Sequence, residues 1–181
     1  EGRCAIGEIA IADVDRLGVK IGAQQRGFVS AERFSKTEIA LYDRTTQMAM
    51  VAAREAIADS GLDFDEALSL RSGVVIGTAL NGMETIDDNY RAVFEERKNR
   101  VHPFIVPRLI VSAGASQISM AFGIRGPAWA VSTACSSSNH AMAQAADLIR
   151  GGACDVVVTG GAEAPLTFGV MKAWEGLRVL S

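Results

Sequence analysis

Ala128-Trp-Ala-Val-Ser-Thr-Ala-Cys-Ser-Ser-Ser-Asn-His-Ala-Met-Ala-Gln-Ala-Ala-Asp-Leu-Ile-Arg150 runs straight into Gly151-Gly-Ala-Cys-Asp-Val-Val-Val-Thr-Gly-Gly161. The apolar spacing predicts a strand over Ala128 to Thr133, a helix over Ser136 to Arg150 and a second strand over Asp155 to Thr159. Gly151-Gly152 stops the helix, and Gly160-Gly161 ends the second strand. So short a crossover makes the strands parallel and the connection right-handed. Ala141, Ala143, Ala145 and Ala146 put small residues on several faces of the helix, beside Met142, Leu148 and Ile149. Such a helix is expected to be packed closely all round, as one held between two sheets would be. The fold class predicted is α/β.

Toward the N-terminus, Pro107 opens a helix expected over Leu109 to Phe122. His102-Pro103 breaks a polar, charged surface helix expected over Asn81 to Arg100. Gly73-Val-Val-Ile-Gly77 is a short apolar run bounded by glycines, the mark of a buried strand. Glu38 to Ser60 has Ala, Met, Val and Ile at helical spacing, with Gly61 as its stop, and predicts one helix. Before Ser35 the only pattern is a short strand within Gly18 to Phe28, through Val19 and Ile21. No internal repeat or low-complexity linker divides the chain.

The 181 residues are 49% hydrophobic with a mean hydropathy of +0.18, which excludes disorder and suits one domain or part of a larger one. Eighteen Lys and Arg against 21 Asp and Glu leave a net charge of −3 with no block of like charge. Nucleic acid, whose phosphates need a basic stripe, is therefore not an expected partner. Only nine charged side chains follow residue 100, which predicts burial of that half within this chain or against another surface. Gly126 to Ala146 holds 21 residues without a charge, yet eight of them are Ser, Thr, Asn, His or Gln and Pro127 is among them. Membrane insertion is not expected. The opening Glu1-Gly2-Arg3 has neither Met nor a signal-peptide pattern, so residues upstream of it are expected. Cys4, Cys135 and Cys154 stand apart, with no CxxC pair and no clustered His. That excludes an obvious metal site and fits free thiols in a reducing, cytoplasmic compartment.

The chemistry centres on Cys135, where the strand gives way to the helix. The first N–H groups of a helix lack internal partners and favour an anion, hence a thiolate over a thiol. They can also hold the oxyanion formed when a thioester carbonyl is attacked. The arrangement parallels the nucleophile elbow of the hydrolases, with sulfur in place of oxygen. A buried structural cysteine is the competing reading of position alone. The small or polar neighbours Ser132, Thr133, Ala134, Ser136, Ser137 and Ser138 weaken it, because they leave access to the sulfur. Cys4 and Cys154 read as core or loop thiols.

A cysteine hydrolase would need a base. His140, five residues after Cys135, is rotated away by roughly 140° on a helix. His102 lies in the break beside Pro103 and reaches the sulfur only if the tertiary fold brings it there. Glu163 is either catalytic or, the more common case, a structural hydrogen-bonding group. The glycine pairs lack phosphate-loop spacing and read as turns. Met171 and Trp174, at helical spacing, read as core.

Taken together, Gly126-Pro-Ala-Trp-Ala-Val-Ser-Thr-Ala-Cys-Ser-Ser-Ser-Asn-His-Ala-Met-Ala-Gln-Ala145 resembles the active-site region of the elongating β-ketoacyl-acyl-carrier-protein synthases. Val156-Val-Val-Thr-Gly-Gly-Ala-Glu-Ala164 resembles the strand and turn that follow it in that family. Pro103-Phe-Ile-Val-Pro107, Gly73-Val-Val-Ile-Gly77 and Ala58-Asp-Ser-Gly-Leu62 fall in the same order and spacing. The resemblance runs from Ser35 to Ser181 and is specific as a set.

The resemblance implies a thiolase-like, layered αβαβα fold of two similar halves. Residues 1–181 would be a partial ketosynthase domain, most of the N-terminal half without its opening strand. It implies that Cys135 takes an acyl group from acyl carrier protein or coenzyme A as a thioester. Malonyl-carrier protein is then decarboxylated, and its carbanion attacks that thioester, in fatty-acid or polyketide-like synthesis. The backbone N–H of Cys135 would form one side of the oxyanion hole. Ile110 matches a position lining the acyl pocket, and Trp174 an aromatic position near its entrance. The two histidines that assist decarboxylation come from the second half, so residues 1–181 alone are expected not to complete the reaction. No resident cofactor is implied, since acyl groups arrive on the phosphopantetheine of the carrier protein. The implied partners are acyl and malonyl carrier-protein thioesters and a second copy in a homodimer. Arg33, Lys36 and Arg44 are candidates for carrier-protein docking, surface salt bridges being their other reading. Three rivals stand: a non-catalytic chain-length or dimer-scaffold partner, which typically lacks the nucleophile; a cysteine hydrolase; and a thiolase or starter-unit synthase of the same fold.

Overall fold

A computed structural model describes residues 2–180; Glu1 and Ser181, the ends of the expected domain, lie outside them. The fold is built on β3 (Ser72–Gly77), an uncharged run in which every residue is buried. β3 lies between β4 (Ala128–Val131) and β5 (Val156–Gly161), parallel to both, in the order β4-β3-β5. The two strands flanking the crossover helix are thus parallel to each other, as expected, without being neighbours. The most buried strand takes the middle place, where both its edges are paired.

Side chains alternate across β3. Val74 and Ile76 join Met50 and Ala53 of α3 (Arg44–Ser60) and Ala115 and Ile118 of α7 (Ala113–Phe122) in one core cluster. Val75 packs with Val131 and Ala141 on the other face, against α8 (Ser137–Arg150). Val74 and Val75 are fully buried, worth about 1.5–3 kcal/mol each.

α8 buries a single stripe, Ser137, Ala141 and Ala145, whose small side chains let it lie close to the sheet. Met142 and Ile149 are 46% and 45% exposed. The helix is therefore not packed all round as its composition suggests. Three strands cover one side of it, and nothing among the described residues covers the other.

Local hydrogen bonding explains where elements depart from the apolar pattern. The helix expected over Glu38 to Ser60 is two, α2 (Lys36–Leu41) and α3. Ser35 and Glu38 form a capping box at the first, and Asp43 restarts the chain by accepting from the Thr45 N–H at 2.9 Å. Gly61 ends α3 at φ 65°, as expected. The helix expected over Leu109 to Phe122 is likewise α6 (Ile105–Leu109) and α7, with an extended Ile110 between them. The segment expected as a helix to Arg100 is α5 (Met83–Tyr90) and a π-helical turn, Arg91–Glu95. Arg91 pairs there with Asp87 and Asp13, and Arg97 at φ 56° turns the chain away. The strand within Gly18 to Phe28 shrinks to β2 (Ile21–Gly22), antiparallel to β1 (Gly7–Glu8). α1 (Ser30–Arg33) and α4 (Glu66–Leu70) are short connectors. α9 (Phe168–Gly176) buries Met171 against Ile9 and Leu17.

Candidate active site

Gly77, Val131 and Gly161 are aligned in register at the C-terminal edge of the sheet. In parallel α/β sheets this edge is where ligands bind. Glycine at the ends of β3 and β5 is required by close approach, because the N-terminus of α8 pushes in against both. A Cβ on Gly161 would lie 2.5 Å from the Cβ of Ser138, inside any real contact distance. Larger residues here would hold α8, and Cys135 just before it, away from the sheet.

The turn that presents Cys135 is tight. Ala134 sits at φ 51°, a conformation that an L residue adopts at a cost of about 1–2 kcal/mol. Ser137 holds it from both sides: its hydroxyl accepts from the Thr133 N–H at 2.9 Å and donates to the Ala134 carbonyl at 2.6 Å. The Ser136 and Ser137 N–H groups close the turn onto the Thr133 and Ala134 carbonyls, at 3.2 and 3.1 Å. No side chain caps α8. The Ser137 N–H, first in α8, is thus already engaged, and the Ser138 nitrogen lies packed against the end of β3, 2.5 Å from where a Cβ on Gly77 would stand.

Cys135 is exposed and lines a cavity of about 740 Å³, within the usual range for small-molecule sites. Leu80, Ala162, Pro165 and Trp174 supply much of its apolar wall, and Glu163 is the one charged lining residue among the described residues. Glu163 accepts from the Thr78 hydroxyl at 2.7 Å, from the Leu80 N–H at 3.2 Å and from the Ala79 N–H. Of the two readings of this residue, the structure supports the hydrogen-bonding one. A largely apolar cavity lined by an exposed thiol suits a hydrophobic acyl group attached through a thioester.

The structure brings Trp174 to the cavity but leaves Ile110 outside its lining, 45% exposed at the α6–α7 elbow. His102 and His140 are not among the cavity residues either. His102 accepts at Nδ1 from the Phe104 N–H at 3.2 Å, and His140 lies exposed in the first turns of α8. Cys4 is exposed and Cys154 is buried, its thiol pushed up chiefly by burial. Arg44 and Arg33 stack over the Phe28 ring at 4.1 and 5.3 Å, and neither forms a salt bridge among the described residues. Among the described residues no cluster of His, Cys, Asp and Glu is placed to hold a metal ion. No described helix is long and apolar enough to cross a membrane.

Three contributors escape a reading of the sequence: the strained Ala134, the brace Ser137 and the pair Gly77 and Gly161. The first two stand out in the sequence only as small neighbours of the sulfur, not as strain and brace. The glycines are visible as punctuation, but their packing role needs the sheet register.

Residues 3–181 match the family described as Beta-ketoacyl synthase, N-terminal domain. The chain belongs to the β-ketoacyl synthase family. Among the relatives of this ketoacyl synthase domain, Nodulation protein E of Rhizobium sp. (strain N33) is 40% identical over 181 residues. The 3-oxoacyl-[acyl-carrier-protein] synthase 2 of Staphylococcus aureus is 34% identical over 181 residues. The match covers 100% of this chain and 45% of each of those two, so the chain spans just under half of their length. A solved β-ketoacyl synthase from Burkholderia phymatum STM815 superposes with a TM-score of 0.83 at 24% identity, covering 99% of this chain and 44% of that one. The ketoacyl synthase domain thus has the thiolase-like α/β fold expected for it.

Proposed function

We propose that the full-length protein is a 3-oxoacyl-[acyl-carrier-protein] synthase. The observation that carries this reading is Cys135, on a braced turn in the wall of a largely apolar cavity, in a domain of this family. The Cys135 sulfur, as thiolate, attacks the carbonyl carbon of an acyl thioester, and the carrier's thiol leaves with a proton. The backbone N–H of Cys135 stabilises one side of the oxyanion. Malonyl-carrier protein then loses carbon dioxide, and the resulting enolate carbon attacks the acyl-Cys135 carbonyl. A carbon–carbon bond forms, the carbon–sulfur bond breaks, and Cys135 is released as the 3-oxoacyl product leaves.

Trp174 bounds the acyl chain within the cavity, and Ile110 bounds it further along. The groups that assist decarboxylation lie in the part of the protein beyond this chain, and no resident cofactor takes part. The bare side of α8, together with the exposed Phe94, Val106 and Met120, offers apolar surface to that remaining part and to a second copy. We place the protein in the cytoplasm, where its free thiols stay reduced. A non-catalytic scaffold would not need the nucleophile, and a hydrolase would need a base in the cavity.

Intact mass of the full-length protein before and after incubation with an acyl-carrier-protein thioester tests the reading. An acyl increment that is absent in Cys135→Ala is expected. No increment on the full-length protein would overturn the assignment and favour the scaffold.

A further inference from the structure

Thr78 to Gly82 joins β3 to α5 and has no regular structure of its own. Ala79 and Leu80 nevertheless form part of the wall of the Cys135 cavity. What holds this wall comes from outside the segment.

At one end stands Glu163, two residues beyond the end of β5. It receives the Thr78 hydroxyl and the Ala79 and Leu80 N–H groups, which are all neutral donors. At the other end stands Asn81, 5% exposed. Its side-chain amide donates to the carbonyls of Arg108 and Ile110, both at 2.9 Å. Gly82, at φ 76°, lets the chain pass under the same elbow, where a Cβ would lie 2.9 Å from the Leu109 Cα. The segment is thereby clamped between the end of β5 and the α6–α7 elbow.

We propose that Glu163 and Asn81 are positioning residues that fix the Ala79–Leu80 wall and so set which acyl chain lengths the cavity accepts. The inference rests on the acyl-transfer reading above. Removing the Glu163 carboxylate frees the Ala79 and Leu80 amides to turn toward water, since such groups do not stay unpaired. Removing the Asn81 amide frees the other end from the elbow. In either case the wall moves relative to the Cys135 sulfur. A hydrophobic pocket separates chains differing by one methylene about tenfold or more, so a displaced wall is read directly as altered selectivity.

The test uses the full-length protein and follows Cys135 acylation by hexanoyl- and palmitoyl-carrier protein through intact mass. The quantity of interest is the ratio of the two rates, which a uniform loss of folded protein does not change. Glu163→Ala and Asn81→Ala are each expected to shift that ratio by about tenfold. Glu163→Gln, whose amide oxygen still accepts from the same donors, is expected to keep the wild-type ratio. Asn81→Ser, smaller and with one donor, serves should Asn81→Ala or Glu163→Ala fail to fold. A wild-type ratio in the folded variants would overturn the proposal while leaving the acyl-transfer reading intact. Acylation of Cys135 by neither thioester in the wild type would overturn both.

Discussion

Gly77 and Ser137 are in direct backbone contact: a Cβ on Gly77 would lie 2.4 Å from the carbonyl carbon of Ser137 and 2.5 Å from its oxygen. No side chain fits between the last residue of the central strand and the first residue of α8. Seated there, the helix N-terminus holds Cys135 over the sheet edge rather than beside it. Strand composition, helix placement and nucleophile position are in this way one feature.

Gly77→Ala is accordingly expected to push α8 outward. The expected cost is about 1–3 kcal/mol in urea denaturation of the full-length protein, with slower acylation of Cys135. Gly169→Ala is the matched control: Gly169 lies in α9 with nothing within 4 Å of the position its Cβ would take. It should be neutral or stabilising by up to about 1 kcal/mol, helix propensity being the main change. Equal effects of the two substitutions would show that close approach at Gly77 does not matter.

Much of this architecture is legible in the sequence. The uncharged run at Gly73–Gly77, the strand–helix–strand unit and the position of Cys135 follow from apolar period and glycine punctuation, which report local structure. What escapes is set by partners distant in sequence. Strand order is one case, because β3 enters between β4 and β5 from more than fifty positions away. The breaks at Asp43 and Ile110 are another, since a side chain interrupts a helix that the apolar pattern alone would continue. The resemblance located Trp174 in a segment that does reach the cavity, whereas Ile110 stands beyond its lining.

Asp43 ties two helices together. Fully buried, its carboxylate accepts from the Thr45 N–H at the start of α3 and from the Thr85 hydroxyl and N–H on α5, at 2.9, 2.6 and 3.2 Å. Asp43→Ala removes a cap and strands two buried donors, for an expected loss of about 2–4 kcal/mol. Asp43→Asn keeps the shape and one acceptor oxygen, and should lose less. The comparison is made by denaturant unfolding at neutral pH, and equal losses would show that the shape and acceptor oxygen retained by Asn contribute nothing.

Glu84, next to Thr85, is itself solvent-exposed, yet the protein around its carboxyl still disfavours the charged form. Desolvation chiefly, and the charges of Asp43 and Asp88 besides, push its carboxyl above the ordinary value of 4.5, while Arg44 and Arg108 oppose them. A carboxyl raised in the folded state binds its proton more tightly there than in the unfolded chain. Its favourable contribution is complete below the ordinary value and is lost as pH rises through the folded one. Because solvent screens an exposed group, Glu84→Gln should be only slightly more stable than wild type at pH 7. The advantage should shrink toward nothing as pH falls to about 4, near the unfolded carboxyl's own titration. A stability difference independent of pH would contradict this account of Glu84.

The three thiols should separate by access. Cys154 is 1% exposed, and its sulfur lies 3.2 Å from where a Cβ on Gly73 would stand, which leaves no room for an added group. Burial also pushes its thiol up, so that less of it is the reactive thiolate. Cys135 and Cys4 are exposed. In iodoacetamide labelling of the native protein followed by peptide mapping, Cys135 and Cys4 should modify while Cys154 stays protected. Its protection should amount to roughly 10³-fold or more, because alkylation has to wait for unfolding of the β3–β5 edge. The protection should disappear in denaturant. Labelling of Cys154 at the rate of Cys4 in the native state would mean that the packing of β5 against β3 is not the one described, and with it the alignment of Gly161 and Gly77 that seats the Cys135 turn.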